Sequence, residues 1–138
     1  MRIRALFLVA AIMVFSAVSC WSAATTDQEG QEKEAFYLKT SQDLVELCSL
    51  SKDHPLHDKA VAFCFGYVTG AMNFYGAIAA SPKVPKIVCS EHEIARSEMV
   101  QVFLDWAKVN PQHLAEPPID GLVRSAMAHW PCPEKNEK

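Results

Sequence analysis

The chain has 138 residues, half of them hydrophobic, and its 16 acidic against 13 basic residues give a formal charge of −3. That length holds one ordinary domain with a single core. With no basic run, nothing offers the electrostatic footprint that nucleic acid or an anionic bilayer demands.

Arg2 and Arg4 open the chain, and the apolar run Ala5 to Val18 follows. The run suits the hydrophobic region of an export signal and is short for a membrane span. Ser22 and Ala24 set small residues at −3 and −1 of a cleavage point before Thr25. Residues 1–24 therefore read as a signal peptide, which directs the chain to a bacterial periplasm. Ala17-Val18-Ser19-Cys20 offers a second reading, a lipobox whose Cys20 is lipidated and anchors the protein to a membrane. The box starts with Ala17 where such motifs usually carry Leu, so soluble export takes precedence. Residues 25–37 are mostly polar and charged and read as a flexible leader.

Four helical stretches fill residues 38–133. Thr40 or Ser41 can cap the first, which runs to Leu50 with Leu44, Leu47 and Cys48 on one face. His54-Pro55 then breaks the chain. The second and longest stretch runs from Leu56 to Ala80. Val61, Phe65, Val68, Met72, Tyr75 and Ala79 recur there at steps of four and three, the seam of a central helix wrapped by the others. No charge occurs between Lys59 and Lys83. A membrane span is nevertheless a poor reading, because Cys64, Gly66, Thr69, Gly70, Asn73 and Gly76 all disfavour insertion.

Ser81 to Lys86 is a proline-punctuated connection. Ser90 and Glu93 have capping-box spacing for a third helix that reaches Val109, with Ala95, Met99, Val102, Phe103 and Trp106 on its buried face. Asn110-Pro111 ends it. Pro117-Pro118 suits the first turn of a fourth helix, whose stripe is Ile119, Leu122, Val123, Ala126, Met127 and Trp130. Pro131-Cys132-Pro133 stops it, and residues 134–138 form a charged tail. The expected fold is all-α, a small compact bundle of about four helices.

Cys48, Cys64, Cys89 and Cys132 form an even set behind an export signal, which reads as two structural disulfides that brace the bundle. Four cysteines allow three connectivities. Antiparallel hairpins favour Cys48–Cys64 between the first two helices and Cys89–Cys132 between the last two.

Other chemistry is sparse. His54, His57 and Asp58 approach metal-ligand spacing but straddle Pro55 at a helix start, and a surface terminus explains them as well. Glu91, His92 and Glu93 sit at a helix N-terminus, where acidic residues are favoured. Nothing sets His113 or His129 beside a free thiol, and no Gly-x-Ser-x-Gly turn or phosphate-binding loop is present. Trp106 reads as core, and Trp130 as an interface anchor if exposed. No metal or other cofactor is expected, and the chain does not read as an enzyme.

Phe63-Cys64-x-Gly66-Tyr67-x-x-Gly70 lies between an upstream and a later cysteine. Asn110-Pro111-Gln112-His113-Leu114 and a terminal Trp130-Pro131-Cys132 follow it. Together these segments resemble the Rap/Tai family of periplasmic proteins, over about Leu38 to Pro133. Characterised members are immunity proteins against type VI secretion peptidoglycan amidases. The resemblance implies a non-catalytic inhibitor that occludes a secreted amidase effector, often as a homodimer. It carries no partner-contact residue onto a numbered position. Physically, Gly66 and Gly70 leave one helix face bare for another helix to approach, and Tyr67 brings a hydroxyl that needs a partner if buried. The alternatives to an immunity protein are a general envelope binding module or acid-stress chaperone, or a component lipid-anchored through Cys20. In any of these roles, function falls to surface loops such as 81–88 and 110–118.

Overall fold

The computed structural model describes Gly30, Glu34 and residues 36–133. The chain divides into two units, Met1–Tyr37 and Leu38–Lys138. Of the first, only Gly30, Glu34, Phe36 and Tyr37 are described, so the expected signal peptide, Cys20 and most of the leader lie outside the described residues. The charged tail does too.

The described residues of the second unit form four α-helices: α1 (Ser41–Cys48), α2 (His57–Ala79), α3 (Arg96–Val109) and α4 (Pro118–His129). A 3-10 turn, Pro111–His113, precedes α4, and no strand occurs among the described residues. The fold is the small all-α bundle that the hydrophobic spacing predicts.

The start of α1 shows how the ends of the bundle are closed. Helix N-termini leave unpaired backbone N–H groups. Thr40 Oγ1 accepts from the Asp43 N–H at 3.2 Å, and Asp43 Oδ2 accepts in return from the N–H groups of Thr40 and Lys39, both at 2.8 Å. The next two amides are met from far along the chain: Ser41 N–H donates to the Glu116 carbonyl at 2.7 Å and Gln42 N–H to the Leu114 carbonyl at 2.9 Å. The fully buried Ser41 hydroxyl adds a bond to the Pro117 carbonyl at 3.0 Å. The segment before α4 is therefore the cap of α1.

The periodicity of α2 makes it the expected centre of the bundle, and the structure corrects this. Only Ala60, Cys64 and Val68 of its 23 residues are buried. The remainder of the expected seam is half-exposed, and α2 packs mainly against α1 and α3. The central element is α3, which meets each of the other three helices and buries Met99, Val100, Phe103 and Ala107. The physical reason is one of length. At about 1.5 Å rise per residue α2 extends some 34 Å, well beyond the length of α1 or α3, and its three buried residues all lie at or before its midpoint.

The glycines also trade places. An ideal Cβ on Gly66 or Gly70 would meet nothing within 4 Å, so among the described residues no helix approaches the pair as expected. Gly121 of α4 carries the close approach instead. A Cβ there would collide with Ser41 Oγ, and would lie 3.0 Å from Ser41 Cβ and 3.2 Å from Phe103 Cε2. That glycine lets α1 and α3 both press on α4.

Two further expectations shift. α3 starts at Arg96, and its cap is Glu98, whose carboxylate accepts from the Ala95 N–H at 3.3 Å. Ser90 is used up locally, since its hydroxyl donates to the His92 carbonyl at 2.8 Å and accepts from the His92 N–H at 3.2 Å. On α4 the buried face is Pro118, Gly121, Leu122, Ser125 and Ala126, while Ile119 and Met127 of the expected stripe are exposed.

Cys48 and Cys64 are bonded with Cα atoms 5.3 Å apart, and Cys89 and Cys132 with Cα atoms 4.9 Å apart. The first joins the end of α1 to α2. The second ties the segment before α3 to the end of α4, and the Cys89 N–H reinforces it by donating to the Trp130 carbonyl at 2.9 Å.

Candidate binding site

The connection between α2 and α3 contains no regular structure from Ser81 to Ala95, yet it is held at two points. One is the disulfide at Cys89. The other is Tyr75, whose hydroxyl accepts from the N–H groups of Ile87 and Val88 at 3.1 and 3.0 Å and lies 3.3 Å from the Val88 carbonyl, to which it donates. A single phenol thus satisfies backbone groups that no helix or strand serves, and fixes the connection to the second half of α2.

Beneath the pinned connection lies an open cavity of about 350 Å³. Met72 and Ala71 form the α2 wall. Ile94 and Met99 close the side towards α3, and Leu122, Val123 and Ala126 of α4 form the wall opposite α2. Size and apolar lining are those of a site that takes a small apolar group, with a few polar groups at the mouth to orient it. Those polar groups are Asn73, Ser90, His92 and Glu93. Ser90 to Glu93 have the spacing of a helix start, and the structure instead places Ser90, His92 and Glu93 in the lining of the cavity.

Two of the rim groups are already engaged. His92 Nε2 lies 2.9 Å from Glu98 Oε1, and the hydrogen bond from His92 is the main cause that holds the Glu98 carboxyl below its ordinary range. Ser90 is committed to the turn described above. Glu93 is exposed, and it makes no hydrogen bond or ion pair with a described residue.

The second connection, Asn110 to Pro117, is braced differently. The His113 ring stacks on Trp106 with centroids 5.7 Å apart, and His113 Nδ1 lies 2.7 Å from Glu116 Oε1. Arg124 Nε donates to Glu116 Oε2 at 2.7 Å. The bond from His113, and then that from Arg124, hold the Glu116 carboxyl below its ordinary range. Trp106 is thus half-buried against a histidine rather than in the core, and Trp130 is buried and no interface anchor.

The remaining residues singled out in the sequence do not converge. His54 Nδ1 accepts from the Leu56 N–H at 3.1 Å, and His57 Nδ1 lies 2.9 Å from the Leu50 carbonyl. Both imidazoles therefore secure the α1–α2 turn. Among the described residues no group of three His, Cys, Asp or Glu side chains could hold a metal. Phe63, Gly66 and Gly70 lie on the exposed side of α2, and Tyr67 is half-buried, its hydroxyl pKa pushed up by burial and by nearby Asp120. Cys64 is buried in its disulfide. No pair of these residues assembles a nucleophile with a base.

Tyr75 and the cavity were not singled out by sequence reasoning. The signal available was the aromatic at the end of the α2 seam, facing a connection rich in proline and short of backbone partners.

Residues 40–132 match the family model of Rap1a immunity proteins. No curated protein and no solved structure matches the chain.

Proposed function

This chain belongs to the Rap1a immunity protein family, and on that premise we propose that it binds and neutralises a secreted effector in the periplasm. The effector we assign is a type VI secretion peptidoglycan amidase. The observation that carries the reading is the span of the family match, which includes all four helices and all four cysteines of the disulfide pair.

Inhibition by a protein of this kind needs binding and no chemistry. A braced bundle with two fixed connections supplies preorganised surface, which lowers the entropic cost of association. Two disulfides suit an oxidising compartment, and the sequence at residues 1–24 supports export by a signal peptide. The exposed face of α2 supports a homodimer. Gly66, Gly70, Asn73, Phe74 and Ala77 are all exposed there, on a segment with no charge between Lys59 and Lys83. A second copy meeting this face would feel no like-charge repulsion.

The test is titration of the purified protein into type VI peptidoglycan amidases with isolated cell-wall sacculi as substrate. Stoichiometric loss of amidase activity is expected for one of them. Full activity of every amidase at a tenfold excess of this protein would overturn the reading.

A further inference from the structure

We infer that the cavity beneath the α2–α3 connection receives an apolar side chain from a loop of the partner protein, flanked in that loop by a lysine or arginine that pairs with Glu93. The inference rests on the reading of the chain as an effector-binding protein, and it names where and by what chemistry the partner is held.

Size sets the first half of the specification. A cavity of about 350 Å³ accepts one large side chain such as Phe, Trp, Leu or Met, and the surface it offers that side chain is mostly apolar. Two of the walls are methionines, Met72 and Met99, whose unbranched thioethers adapt to the shape of what enters. Anchors of this type dominate binding energy when they fill a preformed pocket. This pocket is preformed, because Tyr75 and the Cys89–Cys132 bond hold the segment that roofs it.

Charge sets the second half. Apart from Tyr75, the titratable side chains that line the cavity are His92 and Glu93. His92 is turned to Glu98. Glu93, exposed and without an ion pair among the described residues, is left as the charge at the mouth, with the exposed Glu91 two positions away in a chain that is acidic overall. A partner loop with an acidic flank would be repelled there, whereas a basic flank gains a charge-assisted hydrogen bond at the moment the anchor is buried.

A phage-displayed random dodecapeptide library selected on the full protein at pH 7 tests this without any effector. The selected peptides are expected to share a large apolar residue within two positions of Lys or Arg. Affinity of a selected peptide should fall at least tenfold in Ala71→Phe and in Val123→Phe, which fill the cavity from α2 and from α4 respectively. Glu93→Gln should weaken binding about threefold and remove the preference for a basic flank. Thermal melts show which variants are folded, and since the two filling variants are rooted on different helices, either alone suffices. Peptides without a shared motif, peptides with acidic flanks, or unchanged binding to a folded filled variant would overturn the inference. Because no effector takes part, these failures are separate from failure of the amidase titration.

Discussion

Alanine at Gly121 should destabilise this protein, while alanine at Gly70 should stabilise it. The Cβ of the first would be forced onto Ser41, which is fully buried and donates from its hydroxyl to the Pro117 carbonyl. Phe103 Cε2, at 3.2 Å, closes the other side, and Phe103 is also fully buried. Overpacking of this kind costs about 1–3 kcal/mol. If Ser41 is displaced, its lost bond leaves a buried hydroxyl donor unpaired and adds about 1–3 kcal/mol. The ordinary gain of alanine over glycine in a helix offsets about 1 kcal/mol. The net for Gly121→Ala is a loss of about 2 kcal/mol. At Gly70 a Cβ meets nothing within 4 Å, so the helix-propensity gain stands alone at about 0.5–1 kcal/mol. Urea unfolding of the oxidised protein, at micromolar concentration and with m-values compared, measures both. A neutral Gly121→Ala would refute the packing of α1 on α4. A destabilised Gly70→Ala in a monomer would refute the openness of α2.

The remaining expectations concern the braces and the ion pairs. Reduction of Cys89–Cys132, which closes 43 residues, should cost about 4 kcal/mol, and of Cys48–Cys64, which closes 16, about 3 kcal/mol, in denaturant titrations of the Cys→Ser pairs. Tyr75→Phe should leave the fold intact and raise amide exchange at Ile87 and Val88 at least tenfold, and unchanged protection there would contradict the pin. The folded-state pKa of Glu116 is depressed, so its contribution to stability is present above its unfolded value of about 4.3 and is lost as pH falls through the folded value. Glu116→Gln should therefore be less stable than the parent at pH 7, with the difference gone in acid. A difference that persists unchanged to pH 2 would show that the group acts by shape alone.

Much of the fold was legible because proline and capping residues punctuate it. Asn110-Pro111, Pro117-Pro118 and Pro131 bound their helices within a residue or so. The even cysteine set and the short turns made two braced hairpins readable. Which helix becomes the centre was not legible. Periodicity reports that α2 has an apolar face, but not how much of that face its neighbours are long enough to cover. Gly66 and Gly70 form a recognisable spacing and turned out open, whereas Gly121 stands alone in its helix and proved the tight one. Its role depends on Ser41, 80 positions away, and no local pattern encodes that. Ser90 and Glu93 illustrate a local conflict: the capping-box spacing was present, but Ser90 closes a turn on His92 and the helix waits for Arg96. The cavity depends on the same non-local facts, since its walls come from three helices and a connection.

The central claim, that this protein protects against a secreted cell-wall amidase, is tested most directly by survival. Type VI peptidoglycan amidases would be exported to the periplasm of cells that make this protein with its own residues 1–24. Protection from lysis by one amidase is predicted, and its loss when residues 1–24 are removed. Lysis at the unprotected rate with every amidase, while the protein is present and folded in the periplasm, would contradict the account.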